Sequence, residues 1–259
     1  MPQEQPPLMR PKCRLRRPNV LITGTPGTGK TTLAAMIVER LNSRTTNVKQ
    51  EEEEDDNNED INIAKHINIG EIIRTYQFYD GYDTELETHI LDEDQLIDYL
   101  DEVFIETLTS KTQVEATSSL ECNDENHENY SVSLITDYHI CEIFPERYFD
   151  VVLVLRTNTE LLYDRYMERN YIHHHTSSSS STTNNSNNNN DTNNTPVVVS
   201  AKVTQNLQCE IMNVIFENAR NSYASEIVIE LPSNTIADME SNVERVLQWI
   251  QLWMKQNES

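Results

Sequence analysis

Apolar positions along the chain fall into five short runs separated by stretches of helical spacing. Residues 20–22, 66–70, 132–136, 151–155 and 226–230 read as strands. The run 151–155 is apolar without interruption, as expected of a strand covered on both faces. Helical stripes lie between them: Leu33, Met36, Ile37 and Leu41 first, at i, i+3, i+4 and i+8. A short helix begins at 71–74, and Tyr79 to Asp83 reads as a turn. Leu96, Ile97, Leu100, Val103, Phe104 and Leu108 mark the next helix, entered through Asp92, Glu93 and Asp94, whose charge suits a helix start. Thr157, Asn158, Thr159 and Glu160 offer caps ahead of Leu161 and Leu162. Residues 202–223 read as one helix with Val203, Leu207, Ile211, Val214 and Ile215 in its stripe. Met239, Val243, Val246, Leu247, Ile250 and Trp253 mark the closing helix. Strands alternating with helices predict an α/β fold, a five-stranded parallel sheet flanked by helices with right-handed crossovers. Ligands on such sheets bind outside the carboxyl ends of the strands.

Four polar stretches interrupt this pattern. Residues 1–17 are Pro-rich and then basic (Arg10, Lys12, Arg14, Arg16, Arg17), a disordered cationic lead with nuclear import as the alternative reading. Residues 43–62 form an acidic insert, with eight acids in 51–60, and 109–129 a polar loop. Residues 173–195 are a Ser/Asn/Thr tract that cannot pack a core. The rest, 18–259, is expected to be one domain carrying these disordered inserts. Apolar residues are 37% of the chain, below the globular average of about 45–50%, which fits unpacked inserts.

The net charge of −23 argues against a general nucleic-acid-binding surface, and no direct sequence-specific nucleic-acid binding is expected. Exposed charges fade over ~8 Å, so the acidic run need not oppose an anion in a local N–H cradle. The longest aliphatic run is 151–155, far short of the ~20 residues that span a bilayer. No signal-peptide-like stretch opens the sequence, so no membrane partner is expected. Cys13, Cys122, Cys141 and Cys209 are scattered without metal-type spacing and read as reduced thiols.

Three of the five glycines, Gly24, Gly27 and Gly29, fall within six positions, just after the first strand and before the first helix. Gly24 and Gly29 five apart, then Lys30 and Thr31, fit the P-loop spacing. Glycines let backbone N–H groups curl round phosphates, and the helix start adds partial positive charge. Lys30 is placed to reach β and γ phosphates, and the Thr31 hydroxyl to sit on Mg²⁺. Asp137, at the end of the third strand, suits an acid holding Mg²⁺ directly or through water. His139, two residues on, could position water or sense the γ-phosphate, or be a structural histidine. Arg165 and Arg169 share a helix face, and two cations there could stabilise charge on a transferring phosphoryl group or pair with nearby acids. Arg156, at a strand end, is equally open. His173, His174 and His175 read as part of the polar tract rather than a metal site. Phe78-Tyr79 and Tyr148-Phe149 read as core rather than stacking platforms. No Asn-Lys-x-Asp string marks a guanine site, which weakens a GTPase reading.

Several strings go beyond a generic P-loop. The stretch from Arg17 to Lys30, His66-Ile67-Asn68-Ile69-Gly70-Glu71, Tyr79-Asp80-Gly81-Tyr82-Asp83 and His89-Ile90-Leu91-Asp92-Glu93-Asp94 resemble the adenylate kinase isoenzyme 6 family. So do Asp137-Tyr138-His139, Phe144-Pro145-Glu146-Arg147, Val154-Leu155-Arg156-Thr157, Gln208-Cys209-Glu210-Ile211 and Glu230-Leu231-Pro232-Ser233-Asn234-Thr235. The match ends in Asp238-Met239-Glu240-Ser241-Asn242-Val243 and covers most of the chain outside the lead and the polar inserts.

The resemblance implies a P-loop nucleoside monophosphate kinase converting ATP and AMP to two ADP with Mg²⁺. It also implies ATPase activity and a role in small-ribosomal-subunit maturation and rRNA processing. There such a protein binds a small-subunit ribosomal protein and the pre-ribosome, in nucleus and cytoplasm. The alternative is an ATP-dependent assembly switch in which kinase activity is minor. By the same resemblance, Gly27, Gly29, Lys30, Thr31 and Thr32 hold ATP phosphates. A monophosphate-binding segment covers about 68–91, with Asn68, Gly70 and Arg74 as contacts. A lid covers about 168–204 and supplies Arg169; Asp137 and His139 match the family's Asp-x-His.

The lid departs from the family pattern. Asn170 stands where the family has a glycine, and the Ser/Asn tract replaces a charged stretch of which Lys202 alone matches a lysine. A flexible insert of ~25 residues spans roughly 25–30 Å and can loop out without preventing closure. A lid that admits water favours hydrolysis over transfer.

Overall fold

The structure, a computed structural model, describes residues 17–49, 63–84, 88–109, 132–177 and 201–257, the side chains of 44–49, 106–109 and 169–177 aside. The first strand, β1 (Val20–Gly24), is the middle of a five-stranded sheet. It leads through the glycine loop into α1 (Lys30–Lys49) and then β2 (Ala64–Asn68). Next come α2 (Ile69–Tyr76), a hairpin of β3 (Tyr79–Asp83) and β4 (Thr88–Leu91), and α3 (Glu93–Thr109). The chain returns through β5 (Ser133–Asp137), crosses to β6 (Val151–Arg156), and runs through α4 (Thr159–Ser177), α5 (Ala201–Ile211) and α6 (Val214–Ser222). It ends in β7 (Val228–Pro232) and α7 (Ile236–Gln256).

The sheet order is β2-β5-β1-β6-β7, and every pairing in it is parallel. Strands buried on both faces carry two interleaved cores. Val20, Ile22, Ile135, Leu153 and Leu155 pack with Leu33, Ile37, Val243 and Leu247 of α1 and α7. Leu21, Leu134, Val152 and Val154 face the other way, onto Leu96, Leu100 and Phe104 of α3 and Ala219 of α6. Because the polypeptide alternates sides, the unbroken run in β6 feeds both cores. Phe78, Tyr148 and Phe149 belong to the second core.

Helix starts are fixed by side chains. Asn68 accepts from the Glu71 N–H at 2.8 Å, Asp92 from Gln95 N–H at 3.0 Å and Asn158 from Glu160 N–H at 2.9 Å. Thr235 and Asp238 form a reciprocal capping box at α7.

Six elements differ from the sequence expectation. The second strand, expected over 66–70, lies two residues earlier at Ala64–Asn68, because Asn68 caps α2 and Ile69 and Gly70 already belong to that helix. The stretch 79–83 is a strand, not a turn: it pairs with β4, and the Tyr79 and Tyr82 rings pack on His89 across the hairpin at 4.2 and 5.1 Å. α1 continues to Lys49 and α4 to Ser177, so helical backbone enters the inserts expected from 43 and 173, since extending a helix is easier than starting one. The last strand lies two residues further on than expected, because Ser233 N–H bonds to Arg156 O at 2.7 Å and carries the pairing beyond Pro232. The helix expected over 202–223 is broken at Asn213, which is left-handed with φ 56°. One straight helix could not place Val203 and Leu207 on Leu162 and Tyr166 and also Ala219 on the sheet. The break leaves Ile211 and Met212 exposed rather than in a stripe. The lead 1–16, the remainder of the acidic insert, the polar loop 110–129 and the Ser/Asn tract beyond 177 lie outside the described residues.

Replacing Asn213 by Ala should cost roughly 1 kcal/mol, because Ala keeps a Cβ in left-handed backbone but loses the short polar side chain that lets Asn adopt it, whereas Gly, which has no Cβ, should cost nothing. Urea unfolding of the two variants checks this; equal losses would show that the break is not set by that residue.

Candidate phosphate-transfer site

The glycine loop leaves β1 at the carboxyl edge of the sheet. Gly27 and Gly29 sit at φ 90° and 94°, backbone that side-chain-bearing residues rarely adopt. Space is short as well: a Cβ on Gly27 would meet Leu162 Cδ1 at 3.0 Å, and one on Gly29 would meet Met239 Cε at 2.8 Å. Lys30 is 9% exposed and folds back over the loop, its Nζ donating to Gly24 O at 2.8 Å and Thr25 O at 3.0 Å. Thr31 and Thr32 open α1.

Two neighbouring strands bring in the acid and its support. The Thr31 hydroxyl donates to Asp137 Oδ2 at 2.7 Å, and His66 Nε2 stands 2.6 Å from Asp137 Oδ1. Asp137 is buried and lies in register with Asn68 across the β2–β5 pairing. Lys30, Thr31, Asp137 and Asn68 therefore share one edge. Beside them, β2, α2 and α3 enclose a cavity of about 260 Å³ whose walls include His66, Asn68, Glu71, Tyr76 and Tyr99. Gly70 lies in the first turn of α2, and Arg74 stands exposed in its last turn, without an ion pair among the described residues.

His139 follows β5 and is half-buried. Burial, then the charges of Lys30 and Lys202, push its pKa from 6.5 down to about 4, against a smaller opposing pull from Glu142. It is therefore neutral at neutral pH, able to donate through one nitrogen and accept through the other.

The arginines divide. Arg165 is occupied by main chain: it donates to Gly27 O at 3.2 Å, Ser233 O at 3.0 Å and Asn234 O at 3.1 Å, so it braces the loop and is not a free cation for phosphate. Arg156 pairs with buried Glu210 at 2.8 Å and stands 3.6 Å from Glu230. Arg169 lies one turn beyond Arg165 on α4, and its side chain is outside the described residues, as are those of His173, His174 and His175.

His66, Ser233, Tyr166 and Glu210 carry contacts that spacing did not single out. Ser233 Oγ donates to Thr28 O at 2.6 Å, and the Tyr166 hydroxyl donates to Pro26 O. His66 could have been found by pairing β2 with β5 in register, which sets it two residues from Asn68, the partner of Asp137, and on the same face.

Such a loop between a central parallel strand and a helix, with an acid from the adjacent strand on its Thr, defines a P-loop nucleotide-binding domain. A family model described as an AAA domain matches residues 20–213. An adenylate kinase isoenzyme 6 homolog of Dictyostelium discoideum is 36% identical over 241 residues, covering 93% of this chain and 96% of its own. A homolog of the same name from Caenorhabditis elegans is 33% identical over 233 residues, covering 90% and 89%. A shikimate kinase structure from Bacteroides thetaiotaomicron aligns with 92% of this chain and 98% of its own at 11% identity and a TM-score of 0.39. That likeness is distant, and the fold rests on the sheet order and the loop. The chain belongs to the adenylate kinase isoenzyme 6 family, P-loop enzymes of the nucleoside monophosphate kinase type. No helix among the described residues is long and apolar enough to cross a membrane.

In the Mg²⁺-free, nucleotide-free protein the His139 ring signals should stay constant between about pH 8 and 5 in an NMR titration. The folded pKa lies below the unfolded one, so the unfolded state takes the proton first. This group's contribution to stability is full above 6.5 and is lost as pH falls towards about 4. A ring titrating near 6.5 would contradict the burial and the two neighbouring cations.

Proposed function

We propose that the chain transfers the γ-phosphoryl group of ATP to AMP, giving two ADP, and also hydrolyses ATP. The observation that carries this is the convergence of Lys30, Thr31 and Asp137 beside the start of α2. Gly27, Gly29, Lys30, Thr31 and Thr32 bind the phosphates of ATP. Lys30 exchanges the carbonyls of Gly24 and Thr25 for β- and γ-phosphate oxygens, so the resting loop already holds its cation in the cradle. Asn68, Gly70 and Arg74 receive AMP, whose phosphate suits the exposed Arg74 guanidinium. His139, neutral, orients the groups around the γ-phosphate without adding charge. Arg169 neutralises charge on the group in transfer from the lid side.

The residues present fit Mg²⁺. The Thr31 hydroxyl and an Asp137 carboxylate oxygen lie 2.7 Å apart, the hard oxygen donors that this ion takes in ones and twos, leaving its other positions to phosphate and water. Bound by them, the ion would neutralise charge between the β and γ phosphates. His66, on the other carboxylate oxygen, fixes the direction in which Asp137 presents itself. Phosphoryl transfer needs positioning and charge neutralisation more than covalent help, and this is what these residues supply.

The same reading includes a role in small-ribosomal-subunit maturation and rRNA processing, in nucleus and cytoplasm, through a small-subunit ribosomal protein and the pre-ribosome. What favours a basic partner is charge: residues 75–109 hold eleven acids and no Lys or Arg, and the net charge is −23. An assembly switch with minor kinase activity is the second reading, and the departures in the lid favour it.

ADP formation from ATP alone and from ATP plus AMP separates the two. The kinase reading expects AMP to raise ADP formation at least tenfold, and Lys30→Ala to remove about 10²–10³ of that rate. An AMP-independent rate leaves hydrolysis and the switch; an unchanged rate in Lys30→Ala removes the assignment to this loop.

A further inference from the structure

Both helices that flank the lid segment grip the phosphate loop, at three consecutive residues. From α4, Tyr166 donates to Pro26 O and Arg165 to Gly27 O. From α5, Glu210 accepts from the Thr25 hydroxyl at 2.5 Å. Glu210 is 3% exposed, and its two carboxylate oxygens are divided. Oε1 takes Arg156 Nε at 2.8 Å and Thr157 N–H at 3.0 Å; Oε2 takes Thr25. Arg156 also donates to the main-chain oxygen of Glu210 at 3.0 Å, so side chain and helix backbone are fixed together.

Arg156 and Thr157 would suffice to satisfy a structural carboxylate. The second oxygen instead reaches the loop, at the residue on which Lys30 rests: Thr25 O accepts from Lys30 Nζ at 3.0 Å, Thr28 N at 3.3 Å and Thr28 Oγ1 at 2.9 Å. Moving Thr25 therefore moves the resting place of the cation and the turn that follows it. We propose that Glu210 is a positioning residue for the phosphate loop: through Thr25 it sets the loop backbone and the place of Lys30, making ATP affinity depend on the seating of α5. This rests on the reading that the loop binds a triphosphate.

The test measures ATP affinity of the full chain by calorimetry with Mg²⁺, and the melting temperature, for wild type, Glu210→Ala, Glu210→Gln, Thr25→Val and the Thr25→Val double variants. Wild type that binds no ATP would bring down the functional reading itself. With wild type binding, Glu210→Ala and Thr25→Val should each weaken ATP by about tenfold, the worth of one bond to a charged group. Glu210→Gln, which keeps an oxygen for Arg156 and Thr157, should lose less. The double variant Thr25→Val/Glu210→Ala should bind no worse than Glu210→Ala, because both act through one bond. Melting temperatures that fall while ATP affinity stays within about twofold of wild type, or losses that add in full, would overturn the proposal. Should Glu210→Ala fail to fold, the Glu210→Gln and Thr25→Val pair runs the same cycle with the same two outcomes.

Discussion

A loop that turns its N–H groups inward for an anion turns its carbonyls outward, and a buried carbonyl must find a donor. Here the requirement is met at five consecutive residues. Lys30 serves Gly24 and shares Thr25 with Thr28, Tyr166 serves Pro26, Arg165 serves Gly27 and Ser233 serves Thr28. Except for Lys30 and Thr28, the donors come from α4 and the β7–α7 connection, far along the chain. The architecture around the loop can be read as the means of delivering these donors. β6 ends where α4 must begin, and Thr157 Oγ1 donates to Ser233 O at 3.0 Å, fastening that junction to the end of β7. Asn158 N–H bonds to Asn234 Oδ1 at 2.7 Å and repeats the fastening one residue on.

The parallel sheet makes this possible at modest cost. With both faces covered, its two cores hold the strands in register without help from the site. The strand ends are then free to carry polar groups: Thr23, Asp137 and Arg156 all lie there. Among them Asp137 is held on both oxygens, by Thr31 and by His66, so its direction is set before any ligand arrives.

Much of this was legible in the sequence because it is local. The spacing of Gly24, Gly29, Lys30 and Thr31 points to the loop, and together with that loop an acid closing the third strand points to Asp137. Both cores follow from periodicity, since Leu33, Ile37 and Leu41, or Leu96, Leu100 and Phe104, each lie along one helix face. What was not legible is what joins distant segments. Glu210 is one acid among 43 acidic residues, and nothing near it tells that its helix lies under Thr25. Arg165 and Arg169 look alike in spacing, yet only the neighbouring carbonyls decide that Arg165 braces the loop. The break at Asn213 escaped for another reason: the apolar stripe passes through it unbroken, and packing on two different partners overrides the pattern.

That division of labour between the arginines bears on the lid proposed for residues 168–204. Arg165 faces Gly27 and the β7–α7 connection, which fixes the rotation of α4 about its axis. Residues four apart on a helix share a face, and each turn advances about 5.4 Å. Position 169 therefore follows Arg165 on the same face of α4, one turn further along, provided the helix does not end before it. α4 runs on through Asn170 to Ser177, so Asn170 does not terminate the helix. Asn tolerates helical backbone with less loss than Gly, which keeps Arg169 within a regular turn and not at its frayed end. The proposed lid therefore keeps position 169 within helical backbone, on the face of α4 that Arg165 fixes against the loop.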